Sequence, residues 1–249
     1  MQAGDWCFFD AAGTLFESRE PVARSYARIA QRYGLNASEK AVAERFRTVF
    51  HATPGIAFGP GRPADELRRL EREWWRDVVS RTFAGLGEFD DFDSYFTELF
   101  GFFADPANWR ADVEAVPLLR MLRGQGVKPG IISNFDHRLY GILEGLELAS
   151  WFDSVTISSE AGYAKPAPEL FAVVLGKHGA SGPRSIHVGD SESHDVAGAR
   201  AAGLAAVLVD RRWRGGIALA DGFARVGSLS AVAEAARALC QKACGADAC

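Results

Sequence analysis

The sequence reads Trp6-Cys7-Phe8-Phe9-Asp10 near its start, an apolar run that ends directly in a carboxylate. Short apolar runs without strict polar alternation are typical of strands that are covered on both faces, as in a parallel sheet. Four later runs have the same character and stop just as abruptly: residues 127–132, 155–157, 186–188 and 205–209. The sequence therefore predicts a parallel sheet built from these runs.

Helical patterns lie between the later runs, with apolar residues three or four positions apart. They cover residues 117–123, 138–146, 168–178 and 193–202. Gly179 and Gly203 follow two of them, at positions typical of helix ends. Because strands that alternate with helices form an α/β fold, we predict a doubly wound, Rossmann-like parallel sheet.

The interval between the first run and the second breaks this rhythm, because about 100 residues intervene where one crossover needs only a dozen or more. It contains four apolar stripes at helical spacing, one of them made of Leu67, Leu70, Trp74 and Val78. The spacing of its aromatic residues favours packing within a helical unit over a substrate pocket. We predict a core of residues 1–16 and 111–249 and an inserted all-helical cap at residues 17–110.

Charge and composition narrow the function classes. The 249 residues include 28 Lys and Arg against 32 Asp and Glu, so no basic surface for nucleic acid or anionic lipid is expected. The N-terminal stretch carries Asp5 and only a short apolar run, unlike a secretory signal, and residues 201–209 are half the ~18 needed to cross a bilayer. We expect a cytoplasmic protein without nucleic acid or membrane partners, monomeric or weakly dimeric, acting on a small molecule.

Polar side chains stand where the predicted strands end. They are Asp10, Ser133, Lys165 and Asp190. Because the carboxyl ends of parallel strands open on the ligand crevice of such a sheet, we expect these side chains to converge. A nucleophilic carboxylate, a hydroxyl donor, a cation and a metal-binding carboxylate are what phosphoryl transfer requires.

Four motifs surround these residues. They read Phe8-Phe9-Asp10-Ala11-Ala12-Gly13-Thr14-Leu15, Ile131-Ile132-Ser133-Asn134, Lys165-Pro166 and Val188-Gly189-Asp190-Ser191, the last followed by Asp195. In this order they resemble the four motifs of the haloacid dehalogenase-like hydrolase superfamily. The helical insert is similar to the small cap of its first subclass, so the resemblance covers nearly the whole chain. Residues 74–79 and 133–139 further resemble the subgroup named after haloacid dehalogenase-like hydrolase domain-containing protein 3.

The resemblance implies a nucleophile and a metal site. Asp10 would attack a phosphoryl group to form an aspartyl-phosphate, which water then hydrolyses. Mg²⁺ would be bound by the carboxylates of Asp10 and Asp190 and by the backbone carbonyl of Ala12, because a hard cation prefers oxygen ligands. Asp195 would order the waters around the ion. The implied activity is that of a phosphatase acting on a small phosphorylated metabolite.

The resemblance also assigns the groups that stabilise the transferring phosphoryl group. Thr14 and Ser133 would donate hydrogen bonds to its oxygens, and Lys165 would offset the negative charge. Ser133, Asn134 and Lys165 together would bind the substrate.

One position departs from the family pattern. The family's phosphatases usually carry a second Asp two positions after the nucleophile, acting as general acid and base, and this chain has Ala12 there. Because a positioned acid or base contributes typically 10²–10⁴-fold, we expect slow hydrolysis or a leaving group that needs no protonation. Glu17, His51 and His137 are candidates for supplying the proton.

Three other functions follow from the same motifs. An alanine at this place also occurs in phosphonoacetaldehyde hydrolases, whose cap lysine forms an imine with the substrate, and the predicted cap has Lys40. The chain could instead retain the fold as a phosphate-binding or regulatory module with little turnover, although Asp10, Lys165 and Asp190 argue against that. Dehalogenation is disfavoured, because the family's dehalogenases usually have Tyr where this chain has Ala12.

Overall fold

A computed structural model describes residues 1–2 and 4–244. Its main sheet has the strand order β5-β4-β1-β6-β7-β9-β8, in which every neighbouring pair is parallel except β9 and β8. This is the doubly wound α/β architecture predicted from the apolar runs. The strands are β1 (Trp6–Phe9), β4 (Lys128–Ser133), β5 (Ser154–Ile157), β6 (Ser185–Gly189), β7 (Ala205–Val209), β8 (Ala218–Ala220) and β9 (Phe223–Val226).

Helices cover both faces of the sheet. They are α5 (Ala115–Gly124), α6 (Arg138–Gly145), α7 (Ser158–Ala161), α8 (Pro168–His178), α9 (Ala197–Ala201) and α10 (Val232–Cys244), with a π-helical turn at Glu192–Val196 before α9. Side chains of β1 alternate between the faces: Cys7 and Phe9 pack with α5, α6 and α10, whereas Trp6 and Phe8 pack with α8 and α9. Both faces of the central strand are therefore buried.

Four helices lie between β2 (Phe16–Ser18) and β3 (Trp109–Ala111), which pair antiparallel in a small separate sheet. The helices are α1 (Val22–Gln31), α2 (Glu39–Ala52), α3 (Ala64–Phe83) and α4 (Phe92–Phe102). They enclose an apolar cluster of their own, centred on Tyr26, Tyr95 and Phe96. The sequence-based boundaries at residues 17 and 110 fall inside the β2–β3 pair. We call the unit formed by α1 to α4 the cap.

Two features of the fold depart from the sequence analysis. The spacing predicts a helical stripe of Leu67, Leu70, Trp74 and Val78, but the buried face of α3 runs through Leu67, Glu71 and Val78, while Leu70 and Trp74 are only half-buried. The antiparallel β8–β9 hairpin at the sheet edge was also missed. No helix within the described residues is long and apolar enough to cross a membrane.

Candidate active site

Asp10 lies at the carboxyl end of β1, in the middle of the sheet between β4 and β6. Its backbone N–H donates to the carbonyl of Val188 in β6 at 2.8 Å. Ser133, the last residue of β4, donates its hydroxyl to Oδ1 of Asp10 at 3.0 Å. The side chain of Asp10 is only 11% exposed, so this carboxylate has lost most of its water. Burial raises the pKa of Asp10, and the cation described next opposes that rise.

Lys165 reaches the same carboxylate from the loop after α7. Its Nζ donates to Oδ1 of Asp10 at 2.6 Å, to Oδ1 of Asp195 at 2.6 Å and to the carbonyl of Ile132 at 2.9 Å. These bonds use all three ammonium protons. Burial alone would lower the pKa of Lys165, but Asp10 and Asp195 raise it, so the amine is charged.

Asn134 holds the backbone of Lys165 at both ends. Its side-chain oxygen accepts from the Lys165 N–H at 2.7 Å, and its Nδ2 donates to the Lys165 carbonyl at 2.9 Å. This contact fixes the loop from which the ammonium group extends. The substrate-binding role of Asn134 stays a prediction.

Asp195 accepts hydrogen bonds from three donors. Besides Lys165, these are Nε2 of His187 at 2.8 Å on Oδ1 and the backbone N–H of Ser191 at 3.0 Å on Oδ2. Burial would raise the pKa of Asp195, but Lys165 and His187 hold it well below its ordinary value. The carboxylate is therefore ionised and fixed in orientation.

His187 is a part of the site that the sequence analysis missed. It is fully buried in β6, and burial lowers its pKa, so the ring is neutral. Because the Asp195 carboxylate can only accept, the proton is on Nε2, and Nδ1 has no partner among the described residues. The sequence signal was an ionisable residue inside an apolar run that otherwise reads as a strand.

Three carboxylates form a cluster in the crevice. Asp10, Asp190 and Asp195 each offer an oxygen, and these oxygens lie within 4.8 Å of one another. Loss of water beside the crevice wall, together with the negative charges of Asp10 and Asp195, raises the pKa of Asp190 to about 6. Closely spaced oxygen donors with excess negative charge are what a hard divalent cation prefers. The residues present therefore fit Mg²⁺.

Gly13 makes room for this cluster. Its φ is +92°, a conformation that side chains rarely adopt, and an ideal Cβ there would lie 2.6 Å from Oδ2 of Asp190. The Gly13 N–H donates to the carbonyl of Phe16 at 2.8 Å, and the Leu15 N–H donates to the carbonyl of Ala11 at 2.8 Å, which closes the turn that contains Ala12. A glycine is thus required for the turn after β1 to approach Asp190.

Thr14 is buried on the same turn, and its hydroxyl has no hydrogen-bond partner among the described residues. Because buried hydroxyl groups are nearly always paired in proteins, an unpaired one beside a crevice fits a donor to a ligand. The role predicted for it, donation to a phosphoryl oxygen, is compatible with that state.

The candidates for a replacement acid, and the cap lysine, have other surroundings. Glu17 is exposed and forms an ion pair with Arg110. His51 is exposed at the end of α2, and Lys40 is exposed on the first turn of α2. His137 is half-buried and shares a hydrogen bond with a carboxylate of the cap. These positions give no support to proton donation by Glu17 or His51, or to imine formation at Lys40.

Comparison with known proteins identifies the family. A sequence model of haloacid dehalogenase-like hydrolases matches residues 5–203. The chain belongs to this hydrolase family. It is 34% identical over 207 residues to haloacid dehalogenase-like hydrolase domain-containing protein 3 of Homo sapiens, covering 81% of this chain and 80% of that protein. The Bos taurus protein of the same name is 33% identical over 207 residues, with 81% and 80% covered.

Solved structures with the same fold include both a phosphatase and a dehalogenase. An HAD phosphatase from Thermococcus onnurineus is 24% identical, with a TM-score of 0.61 over 94% of this chain and 97% of that one. The L-2-haloacid dehalogenase from Xanthobacter autotrophicus is 20% identical, with a TM-score of 0.68 over 95% and 99%. At these identities the likeness shows the fold of a haloacid dehalogenase-like hydrolase.

The cap of this haloacid dehalogenase-like hydrolase contacts the core through a buried carboxylate that the sequence analysis missed. Glu71 of α3 accepts from the Ser159 hydroxyl at 2.6 Å and from the His137 backbone N–H at 3.3 Å, and it shares a further hydrogen bond with the His137 ring. Burial raises the pKa of Glu71 to about 7. Its sequence signal was a charged residue four positions after Leu67, on the same helical face.

Asp136, the residue before His137, makes a second contact between the core and the cap. Asp136 accepts from Nε1 of Trp75 in the cap at 2.6 Å and from Nε and Nη2 of Arg138 at 2.8 and 2.6 Å. The hydroxyl of Ser158 donates to the carbonyl of Ile56 in the loop before α3 at 2.6 Å. The cap is therefore hydrogen-bonded to the segments that follow β4 and β5, next to the crevice.

Proposed function

We propose that this chain is a Mg²⁺-dependent phosphatase that hydrolyses small phosphorylated metabolites in the cytoplasm through an aspartyl-phosphate on Asp10. The observation that carries the proposal is the contact between Nζ of Lys165 and Oδ1 of Asp10 at 2.6 Å, with an oxygen of Asp190 within 4.8 Å of that carboxylate. A nucleophile between a fixed cation and a second carboxylate suits attack on a dianionic phosphoryl group at a metal ion.

Mg²⁺ would be held by the carboxylates of Asp10 and Asp190 and by the backbone carbonyl of Ala12. When bound, the ion offsets the charge of the phosphoryl oxygens and orients the group for in-line attack. Asp195 is already occupied by Lys165, His187 and Ser191, which suits a role beside the ion rather than on it.

The chain's own residues account for the first step. One oxygen of Asp10 attacks phosphorus while the bond to the leaving oxygen breaks, and the leaving group takes that electron pair. The charge of Lys165 and the Thr14 hydroxyl, which has no other partner among the described residues, stabilise the negative charge that spreads over the phosphoryl oxygens, and the Ser133 hydroxyl joins them once it turns from Asp10 to the substrate. Water then attacks the aspartyl-phosphate, which releases inorganic phosphate and restores the carboxylate of Asp10.

The test is release of phosphate from para-nitrophenyl phosphate and from acetyl phosphate, with Mg²⁺ and with excess chelator. We expect turnover that depends on Mg²⁺ and is lost in Asp10→Asn, which keeps the shape of the side chain but removes its charge. Asp93→Asn, an exposed carboxylate of the cap, is the control and should leave turnover unchanged. Absence of turnover of both compounds by the Mg²⁺-loaded protein would refute the proposal and favour a phosphate-binding module.

A further inference from the structure

A cavity of about 90 Å³ lies between the cap and the core. All four cap helices contribute to its wall, and Trp109, Phe135 and Arg138 line it from the core side. Most of the lining side chains are aromatic. Because roughly 10–15 Å³ of cavity space holds one water molecule, there is room for about six non-hydrogen atoms, the number in a benzene ring.

The cavity borders the segment that leads to the nucleophile. Phe135 lies two residues beyond Ser133, whose hydroxyl donates to Asp10. Two residues span at most about 7 Å of extended chain, so the backbone that positions the Ser133 hydroxyl enters the cavity wall within that length. This adjacency along the chain is the geometric basis for placing the organic part of a substrate in the cavity while its phosphoryl group lies at Asp10.

The side-chain nitrogen donors of the wall are already engaged. Arg138 donates through Nε and Nη2 to Asp136, and Nε1 of Trp75 donates to the same carboxylate at 2.6 Å. Nε1 of Trp109 donates to the carbonyl of Phe103 at 3.1 Å. Sugar hydroxyl groups would find these donors occupied, and a buried hydroxyl without a partner is unfavourable. A flat apolar ring suits a wall of aromatic side chains.

Ala12 independently favours an aromatic leaving group. Without a positioned acid, the leaving oxygen departs as an anion, which is easier for weakly basic oxygens. A phenolic hydroxyl has a pKa of about 10. Water, which alkyl alcohols resemble, has a pKa of about 15.7. The missing carboxylate therefore costs a phenyl ester less than it costs an alkyl ester.

We propose that the cavity binds the aromatic ring of the leaving group, so that the substrates are phosphate esters of phenols. This rests on the proposed phosphatase function and names its substrate class. The carboxylate of Asp10 forms the new bond to phosphorus, the bond from phosphorus to the phenolic oxygen breaks, and the phenolate leaves with the electron pair. Water then hydrolyses the aspartyl-phosphate, giving inorganic phosphate and a proton that the phenolate takes up.

Binding of the ring is tested without turnover. Benzylphosphonate replaces the ester oxygen of phenyl phosphate by a methylene group, and methylphosphonate lacks the ring. With the Mg²⁺-loaded full chain, isothermal titration calorimetry should give a dissociation constant at least about tenfold lower for benzylphosphonate. Equal dissociation constants would overturn the proposal, whatever the protein's activity.

Turnover measurements distinguish failure of the proposed substrate class from failure of the proposed phosphatase function. Phenyl phosphate and cyclohexyl phosphate have similar size but differ in the basicity of the leaving oxygen, and we expect kcat to differ at least about 10²-fold in favour of phenyl phosphate. Turnover of acetyl phosphate with equal rates for the two ring esters would overturn the substrate class and leave the phosphatase function standing. Phosphotyrosine and a phosphotyrosyl peptide are compared with phenyl phosphate, because they carry the same phosphorylated ring; faster turnover of the free esters assigns the small-molecule source.

A variant that fills the cavity tests whether the aromatic ring binds there. Val22 lines the cavity from α1, and Val22→Phe should raise KM for phenyl phosphate at least about tenfold. Val173→Phe adds the same bulk on the exposed face of α8 and should leave KM unchanged. An unchanged KM in a folded Val22→Phe protein would contradict the placement of the ring, and the phosphonate comparison decides the matter if that variant does not fold.

Discussion

Nζ of Lys165 lies 2.6 Å from Oδ1 of Asp10, and these two atoms belong to residues 155 positions apart in the chain. The contact is buried, so the ammonium group and the carboxylate compensate each other's loss of water. It also means that the carboxylate of Asp10 is oriented by Lys165 and Ser133 before any substrate arrives.

Removing this cation is expected to affect both activity and stability. In Lys165→Met, the carboxylates of Asp10 and Asp195 stay buried without their partner, at a cost of about 3–5 kcal/mol in the free energy of unfolding. Loss of one charge-stabilising donor should lower kcat about 10²–10³-fold on para-nitrophenyl phosphate. Thermal unfolding and steady-state kinetics measure the two effects. Lys177→Met, on the exposed surface of α8, is the control, and equal behaviour of the two variants would contradict the role of Lys165.

Restoring the missing carboxylate tests the account of Ala12. Ala12→Asp places an acid where the leaving-group oxygen is expected. We predict that kcat on cyclohexyl phosphate rises about 10²-fold and that kcat on phenyl phosphate rises much less. Ala12→Asn has the same shape without an acidic proton and should give no such rise. Equal increases on both esters would show that proton donation is not what limits alkyl ester hydrolysis.

His187 should act on the reaction through Asp195. Its Nε2 donates to Oδ1 of Asp195, the oxygen that also accepts from Lys165. His187→Phe removes the donor and should lower kcat about 10–100-fold, the usual effect of losing an outer hydrogen bond around a metal site. His187→Gln retains an N–H donor and should recover most of that loss. If the two variants have the same kcat while both are folded, His187 serves packing alone.

Glu71 makes the stability of the cap contact depend on pH. Its pKa is raised from 4.5 to about 7 in the folded protein by burial, while Ser159 and Arg68 favour the charged form and Asp136 and Glu160 oppose it. Between these two values the folded state holds a proton that the unfolded state has released, so the stability contribution is full below pH 4.5 and is lost as pH rises through 7. The half-buried ring of His137 faces the same carboxylate.

Glu71→Gln removes this titration and keeps the oxygen that accepts from Ser159. Its midpoint of thermal unfolding should rise relative to the parent chain between pH 4.5 and 7.5, by about 2–4 °C for each kcal/mol that the parent loses. Glu73→Gln, an exposed position of the same helix, should show no such trend. A difference independent of pH would contradict the raised pKa of Glu71.

The convergence of Asp10, Ser133 and Asp190 could be predicted, because the carboxyl ends of parallel strands must meet at one edge of the sheet. Lys165 comes from a loop, and only its motif indicated its place. The contacts of His187 and Glu71 were not predicted, since each is a single ionisable residue inside an apolar pattern and the sequence does not show its tertiary partner. The β8–β9 hairpin did have a local signal, the Asp221-Gly222 turn between two short runs. These runs are only weakly apolar, so they did not stand out as strands.

The short segment after β4 serves two purposes at once. The hydroxyl of Ser133 donates to Asp10, and Asp136 and His137, only three and four residues later, are hydrogen-bonded to the cap. A displacement of the cap would act on the same few peptide units that position the Ser133 hydroxyl against Asp10. The position of the hydroxyl group on Asp10 is thus coupled to the cap over a stretch of only five residues, 133–137.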